Sequence, residues 1–287
     1  MTDDKAILAV DIGGTKTLVA LVRASGVVGE VTVPTRREDG PDRWLEAALV
    51  AAGPWRGRFS GIGLAVTGFV RDGRWSAMNP ATLGIPPDYP LVSRVEALFS
   101  RPAIAVNDAQ AAAWGEHALG AGQGEDLVFL TISTGIGGGI VLNGRLREGL
   151  AGHFGLTTEG EDGDLLEDRV SGRWMAAEAR RHGQAADARQ VFASAAMGEA
   201  WAMDIVAASA RRVARLCRNI QLALDPPRIV LGGGIGLAEG VIDRVRALMP
   251  PLGPVAPVPV CRAELGVRAG ILGVADMARI AFSGAGR

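Results

Sequence analysis

Short apolar runs closed by glycine or a carboxylate alternate with stretches of helical period along this chain of 287 residues. Ala6 to Val10 reads as a buried strand ending at Asp11. A tight turn over Ile12-Gly13-Gly14-Thr15-Lys16 then returns the chain as a second strand, Thr17 to Val22, and Val27 to Val33 gives a third. A glycine turn joining two strands is not a Rossmann start, where it opens a helix, and the P-loop pattern is absent. Pro41 to Ala52 has helical spacing, with Pro41 suited to the first turn. Gly61 to Val66 is a buried strand, Val70 to Trp75 a hairpin about Asp72-Gly73, and Pro90 to Phe99 a short helix. Ala103 to Val106 then forms a buried strand that runs into Asn107-Asp108 and an alanine-rich helix.

The second half opens on a strongly apolar strand, Asp126 to Ser133. A glycine turn from Thr134 to Gly139 and a strand from Ile140 to Leu142 follow, with Asn143-Gly144 as the next hairpin turn. This strand–glycine–strand unit parallels the one at Asp11 to Thr17 and hints at an internal duplication. Leu150 to Leu156 is a small-residue loop, and Glu159 to Asp168 an acidic one. Trp174 to Arg181, Asp187 to Ala195 and Gly198 to Leu224 are helical by period, and Asp225-Pro226-Pro227 stops the last. Arg228 to Leu231 is a strand, after which Gly232-Gly233-Gly234 opens a helix through Leu248. A proline-rich connection, Pro250 to Pro259, leads to a small, apolar closing helix over Val267 to Phe282.

Composition narrows the class. With 48% hydrophobic and 21% charged residues the chain is an ordinary globular one, and a net charge of −1 provides no field for nucleic acid or membrane. Arg211, Arg212, Arg215 and Arg218 share one helix and read as its solvated face. Cys217 and Cys261 have no CxxC spacing and read as free thiols of a reducing compartment. The polar start carries no signal-peptide pattern, and no apolar run reaches the ~20 residues of a membrane span. The expectation is a cytoplasmic protein without nucleic-acid or membrane partners.

The candidate chemistry sits at strand ends. Asp108 stands at the carboxyl end of a strand, beside a helix N-terminus, where open α/β sheets bind ligands. A carboxylate there can take a proton from a substrate hydroxyl; read alone, Asp108 is an N-cap, a position Asp favours. The turn from Asp11 to Thr15 offers backbone N–H groups and a hydroxyl to phosphate, or is a plain β-turn. Asn79 suits a polyol hydroxyl or the capping of its own turn. His153, one of three histidines, is by type more often a structural hydrogen-bonder than a ligand. The carboxylates of Glu159 to Asp168 lack EF-hand spacing and read as a solvated loop.

Taken in order, Asp11-Ile-Gly-Gly-Thr-Lys16, Asn107-Asp-Ala-Gln-Ala-Ala-Ala-Trp114, Ser133-Thr-Gly-Ile-Gly-Gly-Gly-Ile140, Leu150-Ala-Gly-His153, Leu166-Glu-Asp-Arg-Val-Ser-Gly172 and Val230-Leu-Gly-Gly-Gly234 resemble the ROK family of sugar kinases. That family lies within the actin/hexokinase/Hsp70 superfamily, and the resemblance spans nearly the whole chain. Asn79-Pro80 with Leu83-Gly84, the forms NDAQAAAW and LAGH, and Gly236 to Gly240 are most similar to its bacterial N-acetylmannosamine kinase branch. The resemblance implies an α/β, actin-like ATPase/hexokinase (ribonuclease H-like) fold of two domains with an interdomain cleft. The smaller domain would comprise residues 1–107 and 269–287, and the larger 108–268.

The resemblance also implies roles. Asp108 is the general base toward the sugar 6-hydroxyl; Asn79, Asn107, His153 and Glu167 bind the sugar. Asp11, Gly13, Gly14, Thr15, Lys16, Thr134 and Gly135 line the ATP phosphates, with Mg²⁺ near Asp11, and Gly233 and Gly234 face the adenosine. Many members hold a structural zinc with a histidine and a CxCGxxGC segment. Here Leu156 takes the histidine's place, and Thr157 to Leu166 is shorter and free of cysteine, so no zinc is expected. The implied activity is ATP- and Mg²⁺-dependent 6-phosphorylation of N-acetylmannosamine in sialic-acid catabolism, by a homodimer. The rivals are a kinase for glucose or N-acetylglucosamine, a sugar-sensing pseudokinase and a ROK-type repressor. For the last, only Met1 to Lys5 precede the first strand, with no room for a helix-turn-helix.

Overall fold

Strand alternation decides how the first half folds. The computed structural model describes residues 6–78, 83–159, 163–249 and 251–283, and the chain divides into two units. The first unit comprises Met1–Leu119, Leu146–Leu150 and Val267–Arg287; the second comprises Gly120–Arg145 and Ala151–Gly266.

The first unit contains β1 (Ala6–Ile12), β2 (Lys16–Arg23), β3 (Gly26–Pro34), α1 (Gly40–Ala51), β4 (Phe59–Val66), β5 (Phe69–Arg71), β6 (Arg74–Ser76), α2 (Leu91–Phe99), β7 (Ala103–Asn107) and α3 (Asp108–Leu119). Its sheet has the order β3-β2-β1-β4-β7; β1 to β3 pair antiparallel, whereas β1, β4 and β7 run parallel. Successive side chains of a strand face opposite sides. Leu8, Val10 and Ile12 of β1 therefore join Leu45, Leu91 and Trp75 on one face. Ile7 and Ala9 meet the closing helix, Ala269–Ser283, through Ile271, Val274 and Ala278 on the other. Small residues on that second face let the helix lie close: a Cβ at Gly63 would stand 2.6 Å from the Val274 carbonyl oxygen.

The closing helix also crosses α3. A Cβ at Gly273 would overlap the Ala111 carbonyl oxygen and stand 2.7 Å from the Gly115 nitrogen. This crossing seats α3 in the first unit, and Leu146–Leu150 lies there too. The domain boundaries expected from the sequence, 1–107 with 269–287 against 108–268, assign both segments to the second half. For α3 the difference arises because its backbone-to-backbone packing on a helix far away in sequence is not a local feature.

The second unit contains β8 (Leu127–Ile132), β9 (Ile136–Leu142), β10 (Arg145–Leu146, whose last residue falls outside it), β11 (Thr158–Glu159), β12 (Asp164–Leu165), α4 (Glu167–Val170), α5 (Gly172–Arg181), α6 (Ala188–Ala196), α7 (Ala200–Leu224), β13 (Ile229–Gly232), α8 (Gly233–Gly236), α9 (Val241–Ala247) and β14 (Val260–Arg262); α10 is the closing helix. Its sheet order is β10-β9-β8-β13-β14, with β8 antiparallel to β9 and parallel to β13, itself parallel to β14. Each sheet thus places a strand between an antiparallel hairpin partner and two parallel strands. The core joins Val128 and Leu130 to Met175, Val191, Val213 and Ile220 of the helices.

Four elements differ from the sequence reading. Gly137 to Gly139 lie within β9 rather than in the turn; at Gly138 the Phe154 ring and the Gly152 carbonyl stand where a side chain would be. The acidic stretch closes on itself as the β11–β12 hairpin, and α4 begins at Glu167. The helix expected from Gly232 to Leu248 is two helices, separated where Gly240 takes a left-handed φ of 72°. The three-residue β14 follows the proline-rich connection and is too short to show a period. Among the described residues no single helix is long and apolar enough to cross a membrane.

Candidate active site

In the first unit the parallel strands β1, β4 and β7 deliver three chain segments to one sheet edge. Asp11 is the penultimate residue of β1, and a turn follows in which the Gly13 N–H donates to the Lys16 carbonyl at 3.0 Å. Thr67-Gly68 follows β4. Asn107 ends β7 and Asp108 begins α3. The Asn107 side chain ties two of these segments together. Its Nδ2 donates to the Gly68 carbonyl at 2.9 Å, and its Oδ1 accepts from the Ala109 and Gln110 N–H groups at 3.0 and 3.2 Å. Asn107 is therefore the residue that caps α3, while one Asp108 oxygen, Oδ1, accepts from Ala109 N at 2.8 Å. Gln110 is buried and donates to the Gly149 carbonyl at 3.0 Å, so the helix start is fixed on a second side.

Burial perturbs both carboxylates, and the Asp108 charge acts on Asp11. Burial, and then the Asp108 charge, push the Asp11 carboxyl up to about 7 against the opposing pull of Lys16. Burial pushes Asp108 up to about 6, while hydrogen bonds from Ala109 and Asn107 favour its charged form. A Cβ at Gly270 would lie 3.6 Å from both the Asp108 carbonyl and Asp11 Oδ2, so the closing helix begins against this pair. Two desolvated carboxylates countered by one lysine form an oxygen-donor pair suited to a hard cation. No group of three or more metal-ligating side chains occurs among the described residues.

In the second unit β8 and β13 run parallel and end at the same sheet edge. After β8, Ser133 N donates to the Gly135 carbonyl at 2.9 Å and closes the Thr134 turn. After β13, Gly233 takes a φ of 80°, and a Cβ there would overlap the Ile132 carbonyl oxygen. The position admits glycine alone, which holds the two turns together. No atom lies within 4 Å of where a Gly234 Cβ would stand, so packing does not require that second glycine.

His153 precedes a short 3₁₀ turn, Phe154–Leu156, that lies along β9: a Cβ at Gly155 would stand 3.2 Å from the Ile136 side chain and 3.3 Å from that of Glu167. Glu167 in turn reaches the Thr134 turn, its Oε2 standing 2.9 Å from where a Gly135 Cβ would be. Leu156 is exposed. Beyond it the β11–β12 hairpin is pinned by an Asp164–Arg169 ion pair, with Arg169 Nε donating to Asp164 Oδ2 at 2.8 Å. Cys217 is buried in α7, its thiol pushed up to about 12 by burial, and Cys261 lies on β14.

Of the residues picked out from sequence, Asp11, Gly13, Lys16, Asn107 and Asp108 gather at the edge of the first sheet. Gly14 and Thr15 fill the same turn, with the Thr15 carbonyl accepting from Thr35 N at 3.0 Å. Thr134, Gly135, Gly233 and Gly234 gather at the edge of the second sheet, with Glu167 against the first of its turns. Asn79 lies outside the described residues. Gly68, Gln110, Gly270 and Arg173 also belong to these sites. Each acts through a partner distant in the chain, and only the small-residue character of the closing helix signalled any of them.

A profile of the ROK family matches residues 7–280. The bifunctional enzyme NanE/NanK of Brucella melitensis is 46% identical over 282 residues, covering 96% of this chain and 54% of the relative; the chain thus spans about half the length of that protein. The N-acetylmannosamine kinase of Shigella flexneri is 38% identical over 285 residues, covering 95% of this chain and 98% of the relative. Among solved structures, a ROK family glucokinase from Streptomyces griseus in complex with glucose and AMPPNP superposes with a TM-score of 0.79 at 28% identity, over 96% of this chain and 99% of that one. The chain belongs to the ROK family and has its actin-like ATPase fold.

Proposed function

We propose that the chain is an ATP-dependent kinase that phosphorylates the 6-hydroxyl of N-acetyl-D-mannosamine. The observation that carries the reaction type is the Asp108 carboxylate, capped into place by Asn107 and pushed up to about 6 by burial. A base poised near the working pH is effective at taking a proton in the transition state. The sugar is supported by the names of relatives at 38 and 46% identity, and the nucleotide by the AMPPNP bound in the solved glucokinase.

In this reading Asp108 accepts the 6-hydroxyl proton as that oxygen attacks the γ-phosphorus. Asn107 fixes the helix start and Gly68 and favours the charged form of Asp108, and the second N–H of its Nδ2 is available to hold the sugar. His153 and Glu167 hold sugar hydroxyls in the second unit. The Gly13–Lys16 turn and Thr134–Gly135 supply donors to phosphate oxygens, and the open space at Gly234 admits the adenosine. Mg²⁺, when bound near Asp11, neutralises charge on the phosphates. Phosphoryl transfer needs chiefly such positioning and electrostatic stabilisation.

The test is ADP release with Mg-ATP after chelator treatment, against N-acetylmannosamine, N-acetylglucosamine, mannose and glucose. The expected result is a clear preference for N-acetylmannosamine. Preference for another hexose moves the specificity to the 153–167 segment, and no turnover on any sugar overturns the reading.

The base works ionised, so activity falls as pH falls through its raised pKa. We expect kcat/KM to be flat above about pH 7 and to drop with unit slope below about pH 6, as the single base Asp108 takes up its proton. A pH–rate profile holding full activity to pH 4.5 would remove Asp108 from the role.

A further inference from the structure

Arg173 joins two parts of the second unit that the proposed reaction uses separately. It is the second residue of α5, and α5 begins against the Thr134 turn because Gly172 N donates to the Ser133 carbonyl at 2.7 Å. From there Arg173 Nε donates to the Thr134 carbonyl at 3.0 Å, and its Nη2 stands 3.6 Å from Glu167 Oε1. The other Glu167 oxygen, Oε2, stands 2.9 Å from where a Gly135 Cβ would be. A guanidinium is a planar fork that can engage a carbonyl and a carboxylate at once, whereas an ammonium is a point charge that favours one partner. The Arg173 side chain is 56% exposed and Glu167 21%. An ion pair that open to water adds little to folding stability. Its consequence is geometric: at 3.6 Å it is an ion contact, not a hydrogen bond, and it draws the Glu167 carboxylate toward the turn.

We propose that Arg173 is a positioning residue that ties the Glu167 carboxylate to the Thr134–Gly135 turn, so that sugar and nucleotide reinforce each other's binding. This rests on the kinase reading, in which Glu167 holds the sugar and the turn holds phosphate. Phosphate on the turn fixes the Thr134 carbonyl, Arg173 follows that carbonyl, and Glu167 follows Arg173 into the orientation the sugar needs. Binding coupling is reciprocal, so the sugar tightens the nucleotide by the same factor.

The experiment is calorimetric titration of the full chain with N-acetylmannosamine, with and without Mg-AMPPNP, alongside steady-state kinetics, for wild type, R173M and R173K. In the wild type the nucleotide analogue should tighten the sugar by about 5- to 10-fold. R173M should lose that factor and raise the sugar KM by a similar amount, leaving kcat within about threefold and the melting temperature unchanged. R173K, which keeps the charge but not the fork, should recover less than half of the coupling; it also decides the matter if R173M fails to fold. Wild-type coupling in either variant overturns the proposal, as does a loss of coupling that merely tracks a loss of thermal stability. A wild type that phosphorylates sugar but shows no coupling overturns this proposal alone, whereas a wild type that phosphorylates no sugar overturns the kinase reading and this with it.

Discussion

Asp108→Asn is expected to lower kcat by about 10³-fold while leaving the fold intact, within the range that general-base catalysis contributes. The substitution preserves shape, and the amide oxygen still accepts from Ala109 N, where Asp108 Oδ1 does at 2.8 Å. What disappears is the charge. Both acids carry raised pKa values, so the folded state holds their protons more tightly than the unfolded chain does. The stability that Asp108 contributes is fully present below its unfolded value near 3.8 and is lost as pH rises through about 6. An asparagine loses nothing over that window. The variant should therefore equal the wild type in stability near pH 4 and exceed it at pH 8, by an amount on the order of 1–3 kcal/mol. The Asp11 carboxyl, freed of its charged neighbour, should titrate lower. Turnover assays and thermal unfolding at pH 4 and pH 8 check the two halves together. An inactive variant that is also less stable at pH 8 would mean that Asp108 serves the fold rather than the chemistry.

That double character explains why the site was partly legible in the sequence. Asp108 could be read as cap or base from its position alone, and the structure divides the labour: Asn107 takes the cap, which leaves Asp108 with an oxygen to spare. The strand ends were legible because a buried strand is a short apolar run and its boundary is sharp. Hairpin turns were legible where their backbone demands it, as at Asp72-Gly73, with φ values of 51° and 73°, and at Asn143-Gly144, with 57° and 65°. Gly138 inside β9 looks like turn in sequence because what crowds it lies elsewhere in the chain: the Phe129 carbonyl of β8, 2.5 Å from where its Cβ would be, then the Phe154 ring and the Gly152 carbonyl. The short β11–β12 hairpin escaped notice for a similar reason. Two residues per strand give no period, and the Asp164–Arg169 pair that ties β12 to α4 looks like ordinary surface charge until the chain is folded. Arg173 is the extreme case, a surface-type residue at a helix start whose two partners lie on a turn and on another helix.

Gly273→Val should be the most damaging single substitution in the first unit. The added side chain would meet the Ala111 carbonyl oxygen and the Gly115 nitrogen, the latter 2.7 Å from the new Cβ. Both are backbone atoms inside α3, so no rotamer change relieves the clash, and α3 and the closing helix must separate. Overpacking that side chains can absorb costs ~1–3 kcal/mol; here the cost should exceed that range, against a total stability of roughly 5–15 kcal/mol for a native domain. At about 2–4 °C per kcal/mol for a unit of this size, the melting temperature should fall by about 10 °C or more. Gly61→Ala is the control. Its new Cβ meets only the ring of Phe282, near the end of the same helix, and a ring can turn aside, so a loss of about 1 kcal/mol or less is expected. Activity discriminates further. The closing helix begins at the Asp11–Asp108 pair through Gly270, and α3 carries Asp108 on its first residue. Moving the two helices apart displaces the base, so any folded fraction of Gly273→Val should show a reduced kcat, whereas Gly61→Ala should keep it. A Gly273→Val protein with unchanged melting temperature and kcat would mean that the crossing has room for a side chain and does not set the position of Asp108.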